Sequence, residues 1–385
     1  MQHTWVSMIS LTALLGGCSS SPVETSTGTG GAGGAGTTSA SSSSATGTGG
    51  GTVDPDAGPP TVQVLTDLSV AGYPHKIDVF VPSNAERVVV FLHGGGGSKV
   101  GAASTESGIR LDNPAQATPV PNTTWLTARR TAYVFPQGQA VSTSPKATTW
   151  DNYVMTSGAD DVAFLAALAG ALRAGTFDGA VPAFARVYLA GHSNGGMMAN
   201  RMWCESPATF DAYGALAGPA SVRLAPAGLV SSSPDPLLGE HACAPATPKP
   251  YIGILGAQDT ILQTKNAWSA DTWSINDCLS QGGGGGMVDP NLVNEQRFHG
   301  FRVAAMCSGT ASPPTTSPDG ATTTWSDCGD KIRLVGITNA DHCVSAGKVV
   351  CLNDKLLPGD CDNSLEAESG AAMRDLLVDF FAATE

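Results

Sequence analysis

Arg186-Val-Tyr-Leu-Ala-Gly-His-Ser-Asn-Gly-Gly-Met-Met-Ala-Asn-Arg-Met-Trp-Cys204 is the stretch on which the reading of this chain turns. A short apolar run, Val187 to Ala190, meets Gly191-His192-Ser193-Asn194-Gly195, and an apolar helical pattern begins after it. This is Gly-x-Ser-x-Gly between a strand and a helix, the setting in which the motif forms a nucleophile elbow. The turn is so tight that the positions two before and two after the serine must lack bulky side chains. Ser193 then stands at a strand's carboxyl end, on a helix N-terminus able to stabilise an anion. In a chain with 47 glycines the bare motif is common by chance, so its context carries the weight.

A nucleophilic serine needs a base, an orienting acid and an oxyanion hole. On an α/β-hydrolase sheet the chain order is Ser, Asp or Glu, then His. Tyr251–Leu255 reads as a buried strand and leads through Gly256-Ala-Gln to Asp259. Lys331–Ile337 reads as another and leads to Asp341-His342. Upstream, Arg87–Leu92 is a continuous apolar strand running into His93-Gly-Gly-Gly-Gly97, whose bare N–H groups can point at an oxyanion. Asp259 has rivals in Asp271 and Asp277, both of which read as helix-face positions. Of the seven histidines, only His342 follows a strand and lacks another role. His93 belongs to the glycine loop and reads as its brace, and His192 is the elbow's variable position.

Together these stretches resemble the extracellular esterase family of feruloyl and acetylxylan esterases and the related polyhydroxybutyrate depolymerases. The matching segments are Val89–Ser98, Ala132–Gly138, Trp150 through Phe164, Arg186–Met198, Leu255–Asp259 and Asp341-His342. The resemblance implies an α/β-hydrolase fold with a mostly parallel, helix-flanked sheet in a single catalytic domain. It implies Ser193 as nucleophile, Asp259 as orienting acid and His342 as base, with the N–H groups of Asn194 and Gly95 forming the oxyanion hole. The chain departs from the family's Gly-Gly-His-Thr-Trp-Pro, reading Asn339-Ala-Asp-His-Cys-Val344 instead. The implied function is hydrolysis of carboxylic esters, with feruloyl or acetyl esters on plant polysaccharide as substrate. Two alternatives stand beside it: a depolymerase of hydroxyalkanoate polyesters, and a surface polymer-binding module without catalysis. The chemistry needs neither metal nor organic cofactor.

The N-terminus points outside the cytoplasm. An apolar stretch, Val6 to Leu15, is too short to span a membrane and ends in Leu15-Gly-Gly-Cys18, which resembles a bacterial lipobox. Residues 1–17 are therefore expected to be a signal peptide and Cys18 the acylated first residue, with export to the cell surface or outer membrane, or with secretion where the cysteine is incidental to an ordinary cleaved signal peptide. From Ser19 to Pro60 the composition falls to Gly, Ser, Thr and Ala, which cannot bury enough apolar surface to order itself. As a tether it would reach roughly 35–40 Å. Residues 61–385 form the catalytic domain, and attachment to the membrane is through the lipid alone.

The net charge of −13, with only 20 Lys and Arg, excludes a basic nucleic-acid footprint and disfavours an anionic polymer, so a neutral and polymeric ester is the expected partner. Beyond Cys18 there are Cys204, Cys243, Cys278, Cys307, Cys328, Cys343, Cys351 and Cys361, an even set in an exported protein. No Cys-x-x-Cys or paired His/Cys spacing marks a zinc site. The family pattern implies Cys204 with Cys243 and Cys278 with Cys328. Cys343, next to His342, would then hold the loop of the base.

The rest reads as alternating elements. Thr61–Pro82 forms two antiparallel strands around Ala71-Gly72, residues 94–122 a loop, and Trp125–Arg130 a short helix. Ala132–Phe135 and Ala212–Ala217 are strands, and a final helix runs from Leu365 to Ala382. Asp160 and Asp161 open a helix reaching Leu172; capping explains them more simply than an acid–base pair. Among the tryptophans, Trp203 reads as core and Trp150 as the candidate for the substrate cleft.

Overall fold

The computed structural model describes residues 60–111, 119–141, 144–153, 155–177, 179–221, 223–226, 241–256, 290–318, 320, 322–337 and 373–385. They all belong to one unit, Pro60–Leu352 with Gly359–Glu385. Its spine is a ten-stranded sheet in the order β1-β2-β4-β3-β7-β8-β11-β14-β13-β12. The strands are β1 (Val62–Ser69), β2 (Lys76–Pro82), β3 (Arg87–Leu92), β4 (Thr131–Pro136), β7 (Arg186–His192), β8 (Tyr213–Leu216), β11 (Tyr251–Gly256), β12 (Thr315–Thr316), β13 (Thr322–Asp327) and β14 (Ile332–Ile337). β4, β3, β7, β8, β11 and β14 run parallel, while β1, β2, β13 and β12 join antiparallel at the two edges. This is the strand order of the α/β-hydrolase fold. Two small sheets lie apart: a hairpin of β5 (Gln139–Val141) and β6 (Ser144–Thr149), and a parallel pair, β9 (Leu224–Pro226) with β10 (His241–Cys243).

The central strands are buried on both faces, which is why they read as unbroken apolar runs. In β3, Val88, Val90 and Leu92 enter the core on one face and Val89 and Phe91 the core on the other. The first face packs against the helices Asp161–Ala174, Asn194–Glu205 and Pro290–Cys307, through Phe164, Leu168, Met198, Trp203 and Phe298. The second packs against Thr123–Arg129 and Met373–Ala383, through Leu126, Leu377 and Phe381. Asp160 caps the first of these helices, accepting from the Ala163 N–H at 2.9 Å, as expected.

Three expectations are corrected. The stretch after the glycine loop is not all loop: Lys99–Gly101 is a helical turn capped by Ser98, and Ala102–Glu106 continues it as a π-helical turn. Cys328 pairs with Cys307 rather than Cys278, because the helix ending at Cys307 packs against β14 and meets the turn after β13, with 5.6 Å between the two Cα atoms. The third correction concerns Trp150 and belongs to the site. Cys204–Cys243 forms as the family pattern implies. Cys278, Cys343, Cys351 and Cys361 lie outside the described residues, as do residues 1–59.

The helix Pro290–Cys307 was not expected, and it presents charge to the core. Glu295 and Arg302 are both 1 % exposed and joined at 2.6 Å. A buried pair is tolerated when most of its remaining hydrogen-bonding capacity is met, and here the Arg302 Nε is left without a hydrogen-bond partner among the described residues. Glu295 also accepts from the Ala220 N–H at 2.7 Å, and Arg302 donates to the Asn200 Oδ1 and lies 3.6 Å over the Tyr251 ring. Asn200 in turn donates to the carbonyls of Gly196 and Gly218. The cluster therefore underpins the helix that follows Ser193.

Candidate active site

Ser193 sits between β7 and the helix Asn194–Glu205 with φ 50° and ψ −118°, a conformation that side-chain-bearing residues rarely adopt. The surroundings hold it there. Its N–H donates to the Leu216 carbonyl at 2.8 Å and its carbonyl accepts from the Met197 N–H at 2.9 Å. The flanking glycines are required by close approach. A Cβ on Gly191 would lie 2.4 Å from the Gly195 carbonyl carbon, and one on Gly195 would lie 2.4 Å from the Leu92 carbonyl oxygen. The chain thus folds back against β3 with no room for a methyl group.

The glycine loop is propped from outside. His93 is fully buried, and Gly138 N–H donates to its Nε2 at 2.9 Å. Nε2 is therefore the acceptor, and Nδ1 carries the proton that reaches the Gly94 carbonyl at 2.7 Å. Burial pushes the His93 imidazole down to about 4, against the opposing Gly94 hydrogen bond. A neutral ring with both nitrogens engaged is a brace, not a base. Gly96 N–H donates to the Thr148 carbonyl at 2.7 Å and Gly97 N–H to the Gly94 carbonyl at 3.0 Å.

Neither the Gly95 nor the Asn194 N–H has an acceptor among the described residues. They lie side by side: a Cβ on Gly95 would be 3.5 Å from the Asn194 Cβ and 3.3 Å from the Met155 sulfur. Two uncommitted N–H groups beside a serine at a helix N-terminus are suited to receive a negative oxygen.

Trp150, expected in the cleft, is fully buried. Its indole N–H donates to the His93 carbonyl at 3.1 Å, its N–H donates to the Asn194 Oδ1 at 2.8 Å, and its carbonyl accepts from the Asn194 Nδ2 at 3.2 Å. A buried indole must satisfy its donor, and doing so here ties the glycine loop to the elbow. Behind it, His75 stacks on Phe164 and bonds Asp161 at 2.9 Å, while Asp161 accepts from Asp151 N–H and the Ser157 hydroxyl. Asp161 is thus a structural anchor for the 150–157 loop.

β11 and β14, the strands that precede Asp259 and His342, are parallel to β7 in one continuous run. His192 is level with Leu216, Leu216 with Ile254, and Gly256 with Ile337, so the strand ends share the sheet's carboxyl edge. Asp259 and His342 themselves lie outside the described residues. Among those residues no cluster of His, Cys, Asp or Glu could hold a metal ion, and no helix is long and apolar enough to cross a membrane.

Sequence reasoning missed Glu106 and Met155. Glu106 is the one acidic residue between Ser98 and Leu111, which was the available signal. Its two carboxyl oxygens share the Gly94 N–H at 3.2 Å each, and Oε2 lies 3.9 Å from the His192 Nδ1. Burial pushes its carboxyl up to about 8, only partly offset by the Gly94 N–H.

No protein-family model and no curated protein matches the chain. Among solved structures it is similar to an acetyl xylan esterase from Aspergillus awamori, at 14 % identity and a TM-score of 0.45, over 73 % of this chain and 94 % of that one. It is also similar to a ferulic acid esterase from Anaeromyces mucronatus, at 15 % identity and a TM-score of 0.32, over 64 % of this chain and 93 % of that one. An esterase from Pyrobaculum calidifontis shares 16 % identity at a TM-score of 0.34, over 52 % of this chain and 67 % of that one. The assignment of the fold rests on the strand order and the elbow themselves.

Proposed function

We propose that the chain is an exported serine esterase acting on feruloyl or acetyl esters carried by plant polysaccharide. The observation that carries the reading is the Ser193 elbow, held at φ 50° at the carboxyl end of β7, with the Gly95 and Asn194 N–H groups beside it and without acceptors among the described residues. That arrangement serves acyl transfer. His342, oriented by Asp259, takes the Ser193 proton as Ser193 Oγ attacks the ester carbonyl. The oxyanion is received by Asn194 and Gly95, and the loss of one such donor typically costs about 10²–10³ in rate. The alcohol leaves with the proton from His342, and water, activated by the same histidine, then frees the acid.

The substrate class draws its support from the resemblance of the motifs and from a net charge of −13, which favours a neutral polymer over an anionic one. A lipid on Cys18 and the tether to residue 60 would hold the domain off the cell surface, where such polymers are met. The test is hydrolysis of p-nitrophenyl acetate, methyl ferulate and acetylated xylan by the full chain beside Ser193→Ala. Turnover lowered about 10⁴-fold or more by the substitution is expected. A folded wild type inert on all three, yet retained on polysaccharide, would replace the esterase with a binding module.

A further inference from the structure

We propose that Glu106 is a positioning residue for the oxyanion: its carboxyl holds the Gly94 amide, so that the next amide of the loop, Gly95 beside Ser193, is the one left to receive a negative oxygen. This rests on the esterase reading and deepens it. Three side chains converge on one face of Gly94, where a Cβ would lie 3.3 Å from the His192 Nδ1, 3.4 Å from the Ser193 Cβ and 3.6 Å from the Glu106 Oε1. A Cβ there would crowd all three, and the glycine lets the Glu106 carboxyl approach the elbow. Gly94 N–H, which could otherwise swing toward substrate, is committed to Glu106, leaving the next amide, Gly95, as the donor.

The carboxyl is delivered by the π-helical turn Ala102–Glu106, a local departure from α-helix often found at functional sites. Its side chain is only 14 % exposed. The titratable groups facing it among the described residues are His192 from the end of β7 and His93 from the loop after β3. Glu106 forms no ion pair with Lys or Arg there, and the neutral His93 offers no charge. Among the described residues no Lys or Arg would balance a carboxylate in this place, and His192 Nδ1, 3.9 Å away, would do so only when protonated. Beside a developing oxyanion the carboxylate would depress turnover by on the order of tenfold. The neutral acid avoids this and keeps a carbonyl oxygen for the Gly94 N–H. Burial favours the neutral form across the neutral pH range.

The experiment is the pH profile of kcat and KM on p-nitrophenyl acetate for the full-length wild type, Glu106→Gln and Glu106→Ala. The wild type is expected to lose about tenfold in kcat on the alkaline side, with a midpoint near 8. Glu106→Gln, which keeps the acceptor and cannot ionise, should show no such fall. Glu106→Ala should lose about tenfold in kcat with KM little changed, and Glu106→Gln should lose less. In ¹³C spectra of the wild type, one glutamate carboxyl absent from Glu106→Gln should titrate near pH 8, a readout that does not depend on the variants' activity. An alkaline fall shared by wild type and Glu106→Gln, or no glutamate titrating above pH 6, would overturn the role of Glu106 alone. A wild type inert on every ester would instead overturn the esterase reading.

Discussion

The two glycine-rich segments that meet at the site are built by opposite means. At the elbow, Gly191 and Gly195 are pressed against backbone, with 2.4 Å between a would-be Cβ and the nearest atom. What fixes that turn is the absence of side chains within the segment itself. The Gly94–Gly97 loop has room at Gly96, whose φ is +74° and where a Cβ would meet nothing within 4 Å. It is held instead by side chains: His93 next to it and Glu106, Thr148 and Trp150 from farther stretches, with Asn194 tying Trp150 to the elbow. One half of the site is specified locally and the other by its neighbours, so damage should spread differently from each.

The comparison breaks most sharply at Gly195→Ala. The added methyl cannot be accommodated without moving β3, and a loss of about 3 kcal/mol or more is expected from urea unfolding, or no folded protein at all. On the other side, His93 is neutral in the fold and protonates near pH 6.5 when unfolded. Its lowered folded value means that its stabilisation is complete above pH 6.5 and is lost as pH falls toward 4, by about 3 kcal/mol. Urea midpoints at pH 7 and pH 4 should show this component in the wild type and not in His93→Asn, which keeps a donor toward Gly94. Equal acid sensitivity of the two proteins would remove His93 from the account.

Trp150→Phe removes the donation to the His93 carbonyl and leaves a buried acceptor, costing about 1–3 kcal/mol and lowering kcat more than it raises KM. If KM alone rises, Trp150 contacts substrate after all. The mildest test is Thr148→Val, which deletes the hydroxyl donation to the Gly97 carbonyl at 2.5 Å and should cost about 1 kcal/mol in thermal or urea unfolding.

The same contrast explains what was legible. β3, β7, β11 and β14 could be read because strands buried on both faces leave unbroken apolar runs, and the elbow because its geometry depends on five consecutive residues. The helix Pro290–Cys307 was missed because part of its inward face is Glu295, His299 and Arg302, so apolar periodicity fails where polar groups satisfy one another in the core. Trp150 was misplaced for a related reason. An indole suits a cleft or a buried brace equally in sequence, and only the Asn194 and His93 partners decide between them. The pairing of Cys328 with Cys278 was implied by the family pattern, and here the helix Pro290–Cys307 carries Cys307 to Cys328 instead.

Cys204 and Cys243 join the end of the helix after Ser193 to β10 across a sequence separation of 39. In the unfolded chain a closed loop of that length is worth about 4 kcal/mol of lost entropy. It also changes what a peptidase can accomplish. A single cut anywhere between the two cysteines would open the chain without separating its halves. The Ser193 half and the half bearing Asp259 and His342 would stay covalently joined. A nicked molecule would run as one band until a reductant is added, and as two afterwards.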